Sequence, residues 1–144
     1  MGMHKVYLGL GSNLGEREET IRKAIAMIEE KVGLVIRQSS LIETEPWGFE
    51  SGNKFLNGVV LCETALSPRQ VLRTTQAIER ALGRTSKTAT ALHSQPIAKK
   101  YSDRPIDIDI LLYDDLNINE PDLKIPHPLM YERDFVMIPL KEIQ

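Results

Sequence analysis

The chain has one cysteine among its 144 residues, so no disulfide can form within it. That residue, Cys62, sits in the apolar run Val59-Val60-Leu61-Cys62, where a buried, inert thiol in a reducing, cytoplasmic setting is expected. No apolar stretch approaches the ~20 residues that a membrane helix needs. The opening residues Met1 to Val6 carry neither a signal-peptide core nor a myristoylation pattern. Charge of one sign is scarce as well. A formal net charge of −2 with a pI near 5.9 gives no overall basic excess of the kind a nucleic-acid binder carries, so any bound anion must meet a local basic cluster. Two phosphate-binding signatures are missing. Gly9 and Gly11 are followed by Leu14, with Gly15 one place late for a dinucleotide fingerprint, and no Gly-Lys-Ser/Thr occurs. The absence of a second His or Cys at ligand spacing from His127 argues against zinc.

What is present fits one domain over residues 1–144, a size at which roughly 70% of the unfolded surface can be buried. Val6 to Leu10 reads as a short buried strand that Gly9 and Gly11 lead into a tight turn. Ile21, Ala24, Ile25, Ile28 and Val32 recur at helical spacing, which predicts an amphipathic helix from Glu16 to Lys31. Leu34 to Thr44 and Phe55 to Thr64 read as strands. Between them lies a Gly- and Pro-bearing loop with the only tryptophan, Trp47. Ser67-Pro68-Arg69-Gln70 is a capping box with proline at the first helical position, and Gly83 is placed to end that helix. Ile106 to Tyr113 is the clearest strand. Asp114-Asp115 reads as a turn, followed by Leu116-Asn117-Ile118, Leu123-Lys124-Ile125 and a last apolar stretch from Phe135 to Leu140. The order strand, helix, strand, strand, helix, strand predicts an α+β fold: a ferredoxin-like split βαβ core whose largely antiparallel sheet has helices packed on one face.

Two features carry chemistry. Asp107 and Asp109 are two apart on a strand, so both carboxylates share one face while Ile106, Ile108 and Ile110 point to the core. Like charges so placed repel unless a cation sits between them, and the pair suits two magnesium ions clamping a phosphoryl group. Second, residues 84–103 lack hydrophobic periodicity, and such a long connection is usually a functional lid or disordered. Arg84, Lys87, Lys99, Lys100 and Arg104 lie in or beside it against one acid, Asp103, a composition able to close over a polyphosphate. Gln76 and Glu79 are three apart and share a helix face. Asn57 stands inside an apolar strand, where its amide must find partners or cost about 1 to 3 kcal/mol.

These residues together resemble the 6-hydroxymethyl-7,8-dihydropterin pyrophosphokinases of folate biosynthesis. The resemblance runs through Tyr7-Leu-Gly-Leu-Gly-Ser-Asn-Leu14, Thr44-Glu-Pro-Trp-Gly48, Phe55-Leu-Asn57, Gln76-Ala-Ile-Glu79 with Gly83-Arg84, Arg104-Pro-Ile-Asp-Ile-Asp-Ile-Leu111, Ile125-Pro-His-Pro128 and Arg133-Asp-Phe135. It implies transfer of diphosphate from ATP, the co-substrate, to the pterin hydroxymethyl oxygen, with AMP released and two Mg2+ ions held by Asp107 and Asp109. It implies phosphate contacts from Arg84 and Arg104 that make both catalytic, a pterin ring between Phe55 and Phe135, and its polar edge read by Asn57, Thr44 and the Pro46-Trp47 segment. Gln76, Glu79, Lys87, Tyr101, Ile110, Lys124, His127 and Arg133 would line the ATP side. The implied partners are small molecules, with no nucleic acid or membrane and a monomeric chain. Tyr101 stands where the family commonly has tryptophan, and Asp122 and Lys124 where arginine and threonine are frequent. The rival readings are a noncatalytic pterin- or nucleotide-binding module of the same fold and a metal-dependent phosphohydrolase. The retained Asp107, Asp109 and Arg104 speak against the first, and the Asn57 and aromatic set against the second.

Overall fold

The computed structural model of the chain describes residues 3–45, 54–83 and 105–144. The central strand β1 (His4–Ser12) runs on through Gly9 and Gly11 rather than turning there, because both glycines pair on either side. It is followed by α1 (Arg17–Lys31), β2 (Gly33–Gln38), β3 (Ile42–Thr44), β4 (Phe55–Thr64), α2 (Pro68–Ala81) and β5 (Asp107–Tyr113). The sheet order is β2-β4-β1-β5, with β3 pairing β4 further along, and every pairing is antiparallel. Strand β4 thus splits the β1-α1-β2 unit, as the order of elements predicts. Strands β6 (Ile118–Glu120) and β7 (Leu123–Ile125) form a separate hairpin, held by Arg69 of α2 through Glu120 and both oxygens of Asp122.

The predicted strand from Leu34 to Thr44 is interrupted. Its register against β4 slips by one residue at Ile36 and by another across residues 39–41. Side-chain chemistry accounts for the second slip. Ser39 exchanges bonds with Val59, its N–H donating to the carbonyl and its hydroxyl accepting the amide, and Ser40 turns outward to Glu142. Local side-chain partners compete with the strand ladder in this way.

Helix α2 follows its sequence signals. The Ser67 and Gln70 side chains cap each other's backbone amides, and Gly83 takes φ +109 just past the end. Helices α1 and α2 cover one face of the sheet: Ile21, Ala24, Ile28, Val71 and Ile78 pack with Val6, Leu8, Leu10, Val60, Cys62, Ile108 and Ile110. A third helix, α3 (Asp134–Ile143), corrects the expectation that all helices lie on that face. Its Val136, Leu140 and Ile143 pack with Val59, Leu61 and Leu111, which alternate with the first set and so point the other way. Arg37 donates to the carbonyl of Ile143, fastening the end of α3 to β2. Between Tyr7 and Leu8 the β1–β5 register shifts, leaving Leu111 as the extra residue beneath α3.

Candidate active site

The α3-side face of the sheet continues past the helix, and several of the expected site residues lie together at that end. Alternation puts Phe55 and Asn57 of β4, Gly11 of β1, and Asp107 and Asp109 of β5 on this face, because Val59, Leu61 and Leu111 share their parity or their cluster. Asn57 pairs with Gly11, and Gly11 pairs with Asp107, so amide, glycine and carboxylate form one row across three strands. The row's ends are two strand spacings apart, about 10 Å.

On the β4 side the amide is fixed. Asn57 is buried, and its Nδ2 donates to Thr44 Oγ1 at 2.6 Å, a diagonal bond across the β3–β4 pair. With that donor engaged on one side, Oδ1 is the acceptor presented on the other. Thr44 and Phe55 are directly opposite in register, which groups the predicted heterocycle readers at one strand end. Arg17 of α1 donates to the Lys54 carbonyl at 2.8 Å and to Glu43 at 2.7 Å. It thereby braces both stems of the segment that carries Pro46 and Trp47. No periodicity in the sequence marks this role, since the partners of Arg17 are 26 and 37 residues away.

On the β5 side the two aspartates meet as expected, and their electrostatics are strained. Burial pushes the Asp109 carboxyl well above the usual range, and the negative charges of Asp107 and Glu79 push it further, against the pull of the Arg133 guanidinium. A pair of carboxylates on one face that resists ionising together is relieved by a positive charge between them, and oxygen donors of this kind suit a hard divalent cation. Glu79 lies 5% exposed on α2, and its Oε2 accepts the backbone N–H of Ile108 at 2.8 Å, between the two aspartates. Gln76, one turn earlier, is exposed, so the two do not share a surroundings despite their spacing.

Arg133 is 8% exposed and precedes α3, with its guanidinium carbon 5.5 Å from the centre of the Phe135 ring. It therefore links the aspartates to the aromatic plate. His127 lies along the outer edge of β5, where its N–H donates to the Leu111 carbonyl at 3.0 Å. Its Nδ1 accepts from Leu129 N–H at 3.3 Å, which puts the proton of the neutral ring on Nε2. Two expected nucleotide contacts stand apart from this group. The Ile110 side chain is buried among the residues facing α1 and α2, on the face opposite the aspartates, so only its backbone remains for contact. Lys124 is exposed on the hairpin, with Nζ donating to Asn119 Oδ1 and the Glu120 carbonyl. Pro46, Trp47, Arg84, Lys87, Tyr101 and Arg104 lie outside the described residues.

Residues 7–144 match the sequence profile of the 7,8-dihydro-6-hydroxymethylpterin-pyrophosphokinase family. The chain belongs to that family. It is 48% identical over 139 residues to the 2-amino-4-hydroxy-6-hydroxymethyldihydropteridine pyrophosphokinase of Porphyromonas gingivalis, covering 96% of this chain and 89% of that one. The enzymes of the same name from Bacillus subtilis and Aquifex aeolicus are each 41% identical, over 95% and 99% of this chain and 76% and 81% of theirs. The chain is accordingly a diphosphotransferase, a pyrophosphokinase of folate biosynthesis. Among solved structures, an HPPK-DHPS in complex with substrates superposes with a TM-score of 0.74 at 15% identity, over 99% of this chain and 40% of that chain. The wild-type HPPK-DHPS of Plasmodium falciparum gives 0.72 at 16% identity, over 98% and 41%. This chain spans about two fifths of those longer proteins, and at such identity the likeness establishes the fold.

Proposed function

We propose that this enzyme transfers the β,γ-diphosphate of ATP to the hydroxymethyl oxygen of 6-hydroxymethyl-7,8-dihydropterin and releases AMP, with two magnesium ions bound by Asp107 and Asp109. The single observation that supports it most is the row Asn57, Gly11, Asp107. An amide acceptor at one end and a carboxylate pair at the other are separated by a strand position with no side chain. Their separation of about 10 Å is comparable to the length of a bicyclic heterocycle bearing one side group. A pterin held at its pyrimidine edge by Asn57 and stacked on Phe55 and Phe135 would extend its hydroxymethyl group over Gly11 toward the aspartates.

In the reaction the hydroxyl oxygen bonds to the β-phosphorus, the bond from that phosphorus to the α,β-bridging oxygen breaks, and the hydroxyl proton is lost. Bound divalent cations would neutralise the phosphate oxygens. The protein's own part is alignment and charge: Arg133 next to Asp109, Arg84 and Arg104 on the phosphates, and His127 and Glu79 beside the nucleotide. We extend the reading to a single catalytic domain over residues 1–144 that acts as a cytoplasmic monomer on small molecules. Among the described residues no helix is long and apolar enough to cross a membrane. The test is the nucleotide product. AMP should form from ATP only when both the dihydropterin and magnesium are present; ADP as product, or turnover without the pterin, refutes the assignment.

A further inference from the structure

A glycine inside a central strand costs stability, and Gly11, one residue from the end of β1, is paired on both sides, so no turn or positive φ explains it. What explains it is the space above it. A β-carbon built on Gly11 would lie 2.8 Å from Asn57 Oδ1 and 3.5 Å from Phe55 Cδ1. The first distance is shorter than real side chains tolerate. The carboxamide cannot simply swing aside, because its Nδ2 is held by Thr44 Oγ1 and the residue is 5% exposed. The Asn57 acceptor therefore lies across the strand only because Gly11 has no side chain.

The geometry points to Gly11 as a positioning residue for the heterocycle. It sets where Asn57 Oδ1 sits relative to the Phe55 ring, and so selects a planar ligand that presents an N–H donor edge in the plane stacked on Phe55. This rests on the pterin reading above and adds to it the residue that fixes the depth of the pocket. Gly9, two residues earlier on the same face, makes the comparison. A β-carbon there meets the Leu111 side chain, its δ carbons at 3.4 and 3.5 Å and its Cγ at 3.6 Å, an ordinary contact with a flexible side chain.

The experiment measures 6-hydroxymethylpterin binding, in the presence of a nonhydrolysable ATP analogue and magnesium, for the wild type, Gly11→Ala, Gly9→Ala, Asn57→Ala and Gly11→Ala/Asn57→Ala. Gly11→Ala should weaken pterin binding by ~10- to 100-fold, the range of one well-placed hydrogen bond in a buried site. Binding of the ATP analogue alone should change by less than about twofold, and Gly9→Ala should leave pterin binding within about threefold. The double variant should bind no more weakly than Asn57→Ala, because the two changes act through one group. Additive losses in the double variant, an equal loss in Gly9→Ala, or unchanged pterin binding in Gly11→Ala would each overturn the inference. A wild type that binds no pterin at all would instead refute the proposed function.

Discussion

At the residue scale, what could be read in advance was chemistry, and what could not was partnership. The Asp-x-Asp spacing on a strand placed two carboxylates on one face, and Ile106, Ile108 and Ile110 are buried as the alternation requires. Asn57, an amide in an apolar run, announced a bonded polar group and has one in Thr44. Nothing in the sequence announced Gly11 beneath that amide, since the clash it avoids depends on register between β1 and β4. Glu79 was legible as polar but not as the acceptor for Ile108 N–H, because a three-residue spacing on a helix does not say which face is buried. The metal-ligand reading has a direct consequence. Asp107→Ala and Asp109→Ala should each lower turnover by about 10² or more, through lost stabilisation of charge on the transferred group. Circular dichroism should show the fold intact in both, and near wild-type turnover in either would place the metal site elsewhere.

At the scale of elements, legibility followed how local the determining interactions are. Helix α2 carries its own start and stop in Ser67, Gln70 and Gly83, and β4 is marked by its run Val59-Val60-Leu61-Cys62, which is buried on both faces of the sheet. The break between β2 and β3 depends on Val59 and Glu142, both distant in sequence, so the strand from Leu34 read as continuous. Helix α3 was visible only as an apolar stretch, because Pro139 inside it reads as a helix breaker. Gly33 is the element-scale counterpart of Gly11. A β-carbon on it would fall 1.9 Å from the Glu63 carbonyl oxygen and 2.9 Å from Thr64 Cα, both backbone atoms that cannot rotate away. Gly33→Ala should therefore force β2 off β4 and cost about 1 to 3 kcal/mol in urea unfolding. Gly33 pairs with Thr64, seven residues along β4 from Asn57 and so about 23 Å from it, and the pterin KM should hardly change. A neutral stability effect would show that the β2–β4 approach is not as close as this.

For the whole molecule, function and stability oppose each other at one point. Asp109 is driven toward its neutral form first by burial, then by Asp107 and Glu79. A carboxyl whose folded value lies above its unfolded value contributes most stability at low pH, and that contribution is lost as pH rises through the folded value. Asp114, held low mainly by the Lys5 backbone N–H and also by His4, and Asp122, held low by Arg69, act in the opposite sense, weakening the fold as pH falls below the ordinary carboxylate range. The metal-free protein is thus opposed by Asp109 toward neutral pH and by the other two in acid. A divalent cation that binds only the folded, ionised pair removes the first effect and adds stability as RT ln(1 + [L]/Kd). The rise in Tm on adding magnesium should therefore be smallest in acid, where the pair is protonated, and grow as the pH is raised. Asp109→Asn, which keeps the shape and deletes the charge, should raise the metal-free Tm at neutral pH and abolish most of the magnesium response. Thermal scans of both proteins across pH decide it. A magnesium shift that does not vary with pH, or one that survives in Asp109→Asn, would mean the cation stabilises the fold at some place other than this carboxylate pair.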